Sequence, residues 1–407
     1  MRLPGEPQTQ FFLIGRALLY IPPARSGGGI THSMTRRHAE IAGAGFAGLT
    51  AACAFAQRGW SVRVHERAEK LRTTGAGIYI YENGLRVVEA VGAYEAAVAG
   101  ANPAHRREVR DERDRLISVH HWDASARAFS IVRQRVINAL AAAATRAGAE
   151  IVTGSQVAGA SPHGELVLSD GRRLKADLVI GADGNNSRVR ESLGLLAQRR
   201  LLPDGAIRLL IEKTEAERAS EEGNKTVEYW SGSRRLLYTP CSDTDVYIAL
   251  TMLDTDLAAR RLPLDRAEWT RSFPRLGALI ARLGDDARYD RFEVIRLKRW
   301  SDGKVALIGD AAHALPPNLG QGGGFAMMNA LSLAVYLDRS ADVADALGQW
   351  ERDERPRTEH IQRLSVFYGL PTTWPPLART LFFALAGKWL VRQRRRVAAS
   401  RPTGTPA

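Results

Sequence analysis

Residues 38–66 read HAEIAGAGFAGLTAACAFAQRGWSVRVHE, and this stretch decides the fold. An apolar run from His38 enters a glycine turn, an alanine-rich segment follows to about Gln57, and the alternating run Ser61 to His65 ends on Glu66. The order strand, tight turn, helix, strand opens a βαβ unit. Gly43, Gly45 and Gly48 hold the G-x-G-x-x-G positions, with Phe46 and Ala47 between the last two. Gly43 permits the tight turn, Gly45 lets bare backbone approach a pyrophosphate at the positive helix end, and Gly48 allows close helix-to-strand packing. Glu66, about twenty residues on, can accept from ribose hydroxyls. A glycine turn alone is weak evidence; with the strand before, the helix after and the acid at that distance, dinucleotide binding is the stronger reading.

Two more turns share this character. Gly181-Ala182-Asp183-Gly184 ends the apolar run ADLVI, with Ser187 and Arg190 after it. Gly309-Asp310-Ala311-Ala312-His313 follows the run Val305 to Ile308, then come Pro316-Pro317 and the Gly320 to Gly324 loop leading into a helix. Both put an acid where a buried strand stops, the position at which α/β sheets present groups to ligands. Glycines after Asp310 would let backbone amides reach a flat cofactor edge and aim a helix start at negative charge. Taken singly, each is also readable as a capped turn.

Composition agrees with a folded protein of more than one module. The 407 residues are 45% hydrophobic, 25% charged and 7% aromatic, values that exclude collagenous, disordered and polytopic membrane classes. Cys53 and Cys241 match no disulfide or metal spacing, so a reducing compartment is expected and no metal is assigned. His120 and His121 lack partners at metal spacing, and His313 lacks a neighbouring nucleophile and reads as structural. The net charge of +13 gathers near the two ends, in Arg16, Arg25, Arg36 and Arg37 and in Arg392, Arg394, Arg395, Arg396 and Arg401. That distribution reads as solvated tails and not as a nucleic-acid surface.

Between about Leu201 and Lys298 the runs AIRLLIE, KTVEYWSG, RRLLYTPC and DVYIALTML alternate with turn residues, which indicates a mostly antiparallel sheet. Helices are expected at Gln134 to Ala147, Gly324 to Asp338 and Asp342 to Arg363. The segment Phe11 to Pro22 is apolar, but it carries Arg16 and is shorter than the roughly 20 residues of a spanning helix. Residues 1–33 read as a disordered or untranslated extension ahead of Met34. The run Leu377 to Val391 admits two readings, a membrane-surface helix or a terminal helix docked on the core with a basic cap at its negative end. The expected organisation is therefore α/β (α+β): a Rossmann-type dinucleotide-binding domain at 34–200 and 299–366, an inserted antiparallel substrate sheet at 201–298, and a C-terminal helix and basic tail at 367–407.

In this order the three turns resemble the aromatic hydroxylases among single-component flavoprotein monooxygenases, the 4-hydroxybenzoate hydroxylase-like family, over about Arg36 to Arg363. The runs LRTTGAGIYI, ENGLRV, RRLLYTPC and GKVALIGDAAHA are also similar to the 2-methyl-3-hydroxypyridine-5-carboxylate oxygenases within it. The resemblance implies an enzyme that binds FAD, uses NADH or NADPH and O2, and hydroxylates a hydroxy- or amino-substituted aromatic or pyridine carboxylate through a flavin C4a-hydroperoxide, with ring opening left open. It implies that Asp310 serves the FAD ribityl chain, that Gly320, Gly322 and Gly323 with Pro317 back the flavin ring, and that Asp183 serves FAD and NAD(P)H contacts. Arg133 would touch the FAD phosphates, Tyr79 the flavin edge, and Arg67 and Arg72 complete the cofactor set. Arg208, Arg235 and Tyr247 match the substrate pocket.

The chemistry of those three makes sense independently, because an arginine fork grips a carboxylate and a phenol orients a ring hydroxyl. The competing reading pairs Arg208 and Arg235 with Glu212 or Glu228 as ordinary strand residues. Asn329 stands where many members carry an acid, Phe292 replaces a pocket tyrosine, and another is missing near Arg107 to Val109. A flavin-binding redox sensor or a non-oxygenase FAD reductase on the same scaffold is the alternative function. The remaining expectations are a cytoplasmic protein without nucleic-acid partner or membrane span, with a homodimer as one open assembly.

Overall fold

The computed structural model describes residues 36–71, 76–104, 106–121 and 126–406; the extension 1–33 and Arg72 lie outside them. Its first layer is a six-stranded sheet in the order Ser301–Asp302, Val305–Leu307, Leu178–Gly181, His38–Ala42, Ser61–His65, Glu150–Val152. All neighbours are parallel except the Ser301–Asp302 edge. Parallel strands need crossovers, and the first is the helix Phe46–Ala56, whose eleven residues are all buried. Its Ala and Gly content explains that: small side chains let it sit between the sheet and the helices Arg133–Arg146 and Gly322–Arg339 at close range. The predicted βαβ unit, the apolar strand ending at Gly181 and the paired C-terminal helices Gly322–Arg339 and Val343–Gly369 all form.

The second layer is a seven-stranded sheet in the order Arg288–Leu297, Leu196–Glu212, Asp245–Leu253, Arg234–Pro240, Thr226–Ser231, Arg106–Asp111, Leu116–His121. It is antiparallel except where Thr226–Ser231 meets Arg106–Asp111 in parallel. The sheet is therefore larger than the run 201–298 suggests, because a hairpin from 106–121 adds two strands. That hairpin reads RREVRD and LISVHH; the charges of the first strand hide the apolar alternation by which strands are recognised, and the second, LISVHH, is not strictly alternating.

Period-two alternation assigns the two faces. Ile207, Leu209, Leu236, Tyr238, Val246, Ile248, Leu250 and Met252 pack with Trp269 and Phe273 in a separate core. The other face carries Arg208, Arg235, Thr239, Tyr247, Ala249 and Glu228. The strand Gly77–Tyr81 runs beside that face: a Cβ on Gly77 would sit 2.7 Å from the Tyr247 Cβ and 2.3 Å from Cys241 Sγ.

Candidate cofactor and substrate site

The three glycine turns converge in space. A Cβ on Gly43, whose φ is +96°, would lie 2.5 Å from the Ala182 carbonyl oxygen, so the first and second turns touch backbone to backbone. A Cβ on Gly48 would lie 1.9 Å from the Gly43 carbonyl oxygen, which is the close helix-to-strand packing the spacing predicts. Gly309, at φ +62°, would place its Cβ 2.9 Å from that of Ala47, joining the third turn to the first. Arg190 ties the last pair: buried to 1% exposure, it donates to Ala311 O at 3.0 Å and Asn185 O at 2.6 Å. Its role is not legible from sequence, where only its place after the second turn stands out.

Gly45 differs from its neighbours, for a Cβ there would meet nothing within 4 Å. It faces open space at the start of a buried helix, the setting in which amides bind a pyrophosphate. Glu66 closes this corner, its carboxylate accepting from Ala44 N and Ala68 N, both at 3.0 Å. Behind it, His65 bonds Ser155 Oγ at 2.8 Å and Glu40 Oε2 at 2.7 Å. Ser, His and Glu in line suggest a nucleophile relay, but Ser155, His65 and Glu40 are 7%, 3% and 1% exposed. Ser155 acts as a staple: its Oγ bonds His65 and its amide donates to the Glu66 carbonyl oxygen at 2.8 Å. Arg67 is exposed just beyond.

Asp183 caps the short helix after its turn, accepting from Arg188 N at 2.7 Å, and its other oxygen is buried without a hydrogen-bond partner. Asp310 reaches solvent yet is hemmed in by protein; that crowding raises its carboxyl above the ordinary value, against the pull of Arg133. The Arg133 guanidinium lies 4.8 Å from the Phe46 ring centroid. Pro317 opens a short turn that ends on Gly320 at φ +64°, and Gly320 approaches both Tyr79 and Tyr81. Gly322 then begins an 18-residue helix, and a Cβ on Gly323 would meet Ile78 at 2.7 Å. Asn329, in the place of the expected acid, is buried and bonds His313 Nε2 at 2.9 Å and Thr358 Oγ1 at 3.1 Å. Burial lowers His313 to about 4, so it is neutral and structural, as its lack of a nucleophile suggests.

Cross-strand register orders the inner face of the seven-stranded sheet into rows. Thr239, Tyr247 and Leu210 form the row beside Gly77; Glu228, Leu237, Ala249 and Arg208 the next; Trp230, Arg235, Thr251, Ala206 and Asp290 the third. Tyr79 bridges to this face, its hydroxyl 2.8 Å from Thr226 Oγ1 and 3.3 Å from Thr239 Oγ1, and burial pushes it up to about 12. Burial likewise raises the Tyr247 phenol, against the lowering effect of Arg208.

Arg208 and Arg235 share the face but not a target. Two strand spacings, roughly 10 Å, separate their strands, and each has an acidic partner. Arg208 reaches Asp290 at 3.1 Å and not Glu212, with the Phe292 ring 5.7 Å away. Arg235 lies 3.5 Å from both Glu228 and Asp204 and 5.1 Å from the Trp230 ring. Arg107 completes a buried ionic chain by pairing with Glu228. Burial alone would raise Glu228, but Arg107 and Arg235 outweigh it and hold the carboxyl below the ordinary range. Asp204 is held above its usual value by burial, against Arg235. Arg107 and Asp204 were missed from sequence; the only signal was an arginine, in a strand of alternating sign, where a tyrosine was expected.

Comparison with known proteins agrees with this geometry. The family model described as an FAD binding domain matches residues 37–363. A 2-heptyl-3-hydroxy-4(1H)-quinolone synthase from Mycobacteroides abscessus is 41% identical over 360 residues, covering 87% of this chain and 96% of that protein. A 6-hydroxynicotinate 3-monooxygenase from Bordetella bronchiseptica is 26% identical over 356 residues, covering 80% and 89%. Among solved structures, the tetrameric form of 2-methyl-3-hydroxypyridine-5-carboxylic acid oxygenase superposes with a TM-score of 0.81 at 35% identity, over 91% of this chain and all of that one. The residues present suit FAD: the open space beside Gly45 at a helix start, the unpartnered buried oxygen of Asp183 and the glycine-started helix at Gly322 leave room and polar groups for a pyrophosphate, a ribose or ribityl hydroxyl and a flavin edge.

Proposed function

This chain belongs to the FAD-dependent monooxygenases of the aromatic hydroxylase family, an enzyme family, and from that premise we propose that it hydroxylates an electron-rich nitrogen heteroaromatic ring of the 4-quinolone type. The balance is ring–H + O2 + NAD(P)H + H+ giving ring–OH + H2O + NAD(P)+. Bound FAD supplies the reductive activation of O2. The chain's own part is to bind, orient and keep out water. Gly43 to Gly48 and Glu66 hold the pyrophosphate and ribose. Asp183, Asp310 and Arg133 serve the ribityl and phosphate region, and Pro317 to Gly323 back the ring. The Tyr247 phenol, kept protonated by burial, orients a ring carbonyl or hydroxyl, while Leu210, Leu237, Ala249 and Phe292 wall the ring.

The observation that carries the substrate class is the charge balance of the inner face. Arg208 pairs with Asp290, a carboxylate that the exposed Arg288 shares at 2.8 Å, and Arg235 and Arg107 pair with Glu228 and Asp204. A site whose cations already have acidic partners does not require an anionic ligand. The name of the 41% identical relative, that of a hydroxyquinolone synthase, supports a ring without a carboxylate. A carboxylated pyridine is the second reading, favoured by the buried Arg235 Nε, which has no hydrogen-bond partner.

The test is NADH and NADPH consumption by the yellow protein against 4-quinolones, pyridinecarboxylates and hydroxybenzoates, with product masses. Stimulation by quinolones, with a product one oxygen atom heavier, supports the proposal. Stimulation by carboxylated rings alone, with a KM that rises sharply in Arg235→Ala at intact FAD content, would replace it with the second reading.

A further inference from the structure

The carboxy-terminal helix Pro376–Ala398 takes no part in the proposed reaction and has two faces. One docks on the core through Phe382, Ala386 and Leu390, with Phe367 edge-on to Phe382 at 5.3 Å and to Trp389 at 6.1 Å. The other lies open: Leu381 is 61% exposed and Leu385 76%, Trp389, at the border where its ring also meets Phe367, is 46% exposed, and Trp374 just ahead of the helix is 38% exposed. Among the described residues, five of the eleven exposed large apolar side chains fall between Leu370 and Trp389, so this is a patch and not a scatter.

Its continuation is cationic. At about 100° per residue, Leu381, Leu385 and Trp389 fall on one stripe, which Arg392 and Arg396 extend. Both arginines are exposed. Residues 370–407 hold seven Lys and Arg and no Asp or Glu, more than half of the net charge of +13.

We infer that this stripe docks the enzyme on an anionic lipid surface, with the leucines and tryptophan at the acyl boundary and the arginines among the headgroup phosphates. Charge selects this occupant. A second copy would lay one acid-free cationic segment against another, whereas an anionic bilayer supplies the missing counter-charge. No described helix is long and apolar enough to cross a membrane, which leaves the helix in the interfacial plane. The competing reading from sequence, a docked terminal helix, describes the inner face alone.

The test is co-sedimentation of FAD-loaded protein with phosphatidylcholine vesicles containing graded phosphatidylglycerol. Bound protein should rise with phosphatidylglycerol, fall with added salt and show blue-shifted tryptophan emission. Leu385→Glu should weaken binding at least about tenfold without changing flavin absorbance, and Arg392→Glu with Arg396→Glu should remove the lipid-charge dependence. Absence of phosphatidylglycerol-dependent binding overturns the inference, as does binding indifferent to Leu385→Glu. A dimer that Leu385→Glu converts to monomer also overturns it and assigns the stripe to a second copy.

Discussion

The carboxyl end of the parallel sheet and the inner face of the seven-stranded sheet are both polar, but they are built differently. At the first, ligand-facing groups are backbone amides and acids placed by turns a few residues long, and contacts such as Gly43 with Ala182 and Gly48 with Gly43 leave no room for a side chain. At the second, Arg107, Asp204, Glu228 and Arg235 come from four strands, and each charge is tolerated only because another lies beside it. The first region is specified by shape, the second by compensation.

The severest way to break this contrast is to add bulk where shape rules. Gly48→Val would begin its side chain 1.9 Å from a backbone carbonyl, and soluble protein from this variant should carry essentially no flavin absorbance. Full FAD content would show that close packing is not what specifies the turn. On the compensated face, Glu228→Gln takes from the buried Arg107 its acidic partner and leaves Arg235 with Asp204 alone, a change expected to cost about 3–5 kcal/mol. Urea unfolding reads it, and a loss as small as that of a surface pair would mean that water reaches the chain of charges.

A third prediction concerns acid. His313 is lowered from 6.5 to about 4 by burial, so the unfolded chain binds its proton first. Stability contributed by the neutral ring is present above pH 6.5 and is lost as pH falls toward about 4, by about 3 kcal/mol in all. His313→Gln should flatten that part of the stability profile measured by urea midpoints; an unchanged slope would assign the acid sensitivity to other groups. The smallest effect is expected at Glu66→Ala, where roughly tenfold weaker FAD retention follows from losing a charged acceptor at the ribose corner. Titration of the apoprotein with FAD measures it, and unchanged affinity would leave Glu66 only its bonds to Ala44 and Ala68.

How far each region could be read from sequence follows the same contrast. The βαβ opening, the strand ending at Gly181 and the Asp310 turn were legible because their determinants are local: glycine for positive φ, apolar runs for buried strands, an acid at a strand end. Tyr247, Arg208 and Arg235 could be placed on one sheet by resemblance. Their partners could not, because Asp290 lies 82 residues from Arg208 and Arg107 lies 121 residues from Glu228. The hairpin 106–121 was missed for another reason: in its first strand Arg106 and Arg110 pair with Glu108 close by, so charges stand where apolar alternation would mark a strand, and only Arg107 among its described residues reaches an acid on a distant strand, Glu228.

The sequence by itself determined the cofactor-binding turns, the presence of a second sheet and the family, since short-range backbone chemistry writes itself into glycine spacing and apolar period. Only the tertiary structure decided which arginines are already matched by acids, that Arg190 and Ser155 are staples and not reagents, and that the last helix keeps an apolar stripe in water. Those outcomes depend on which side chains strand register and helix docking bring within hydrogen-bond reach, and nothing local in the chain encodes that.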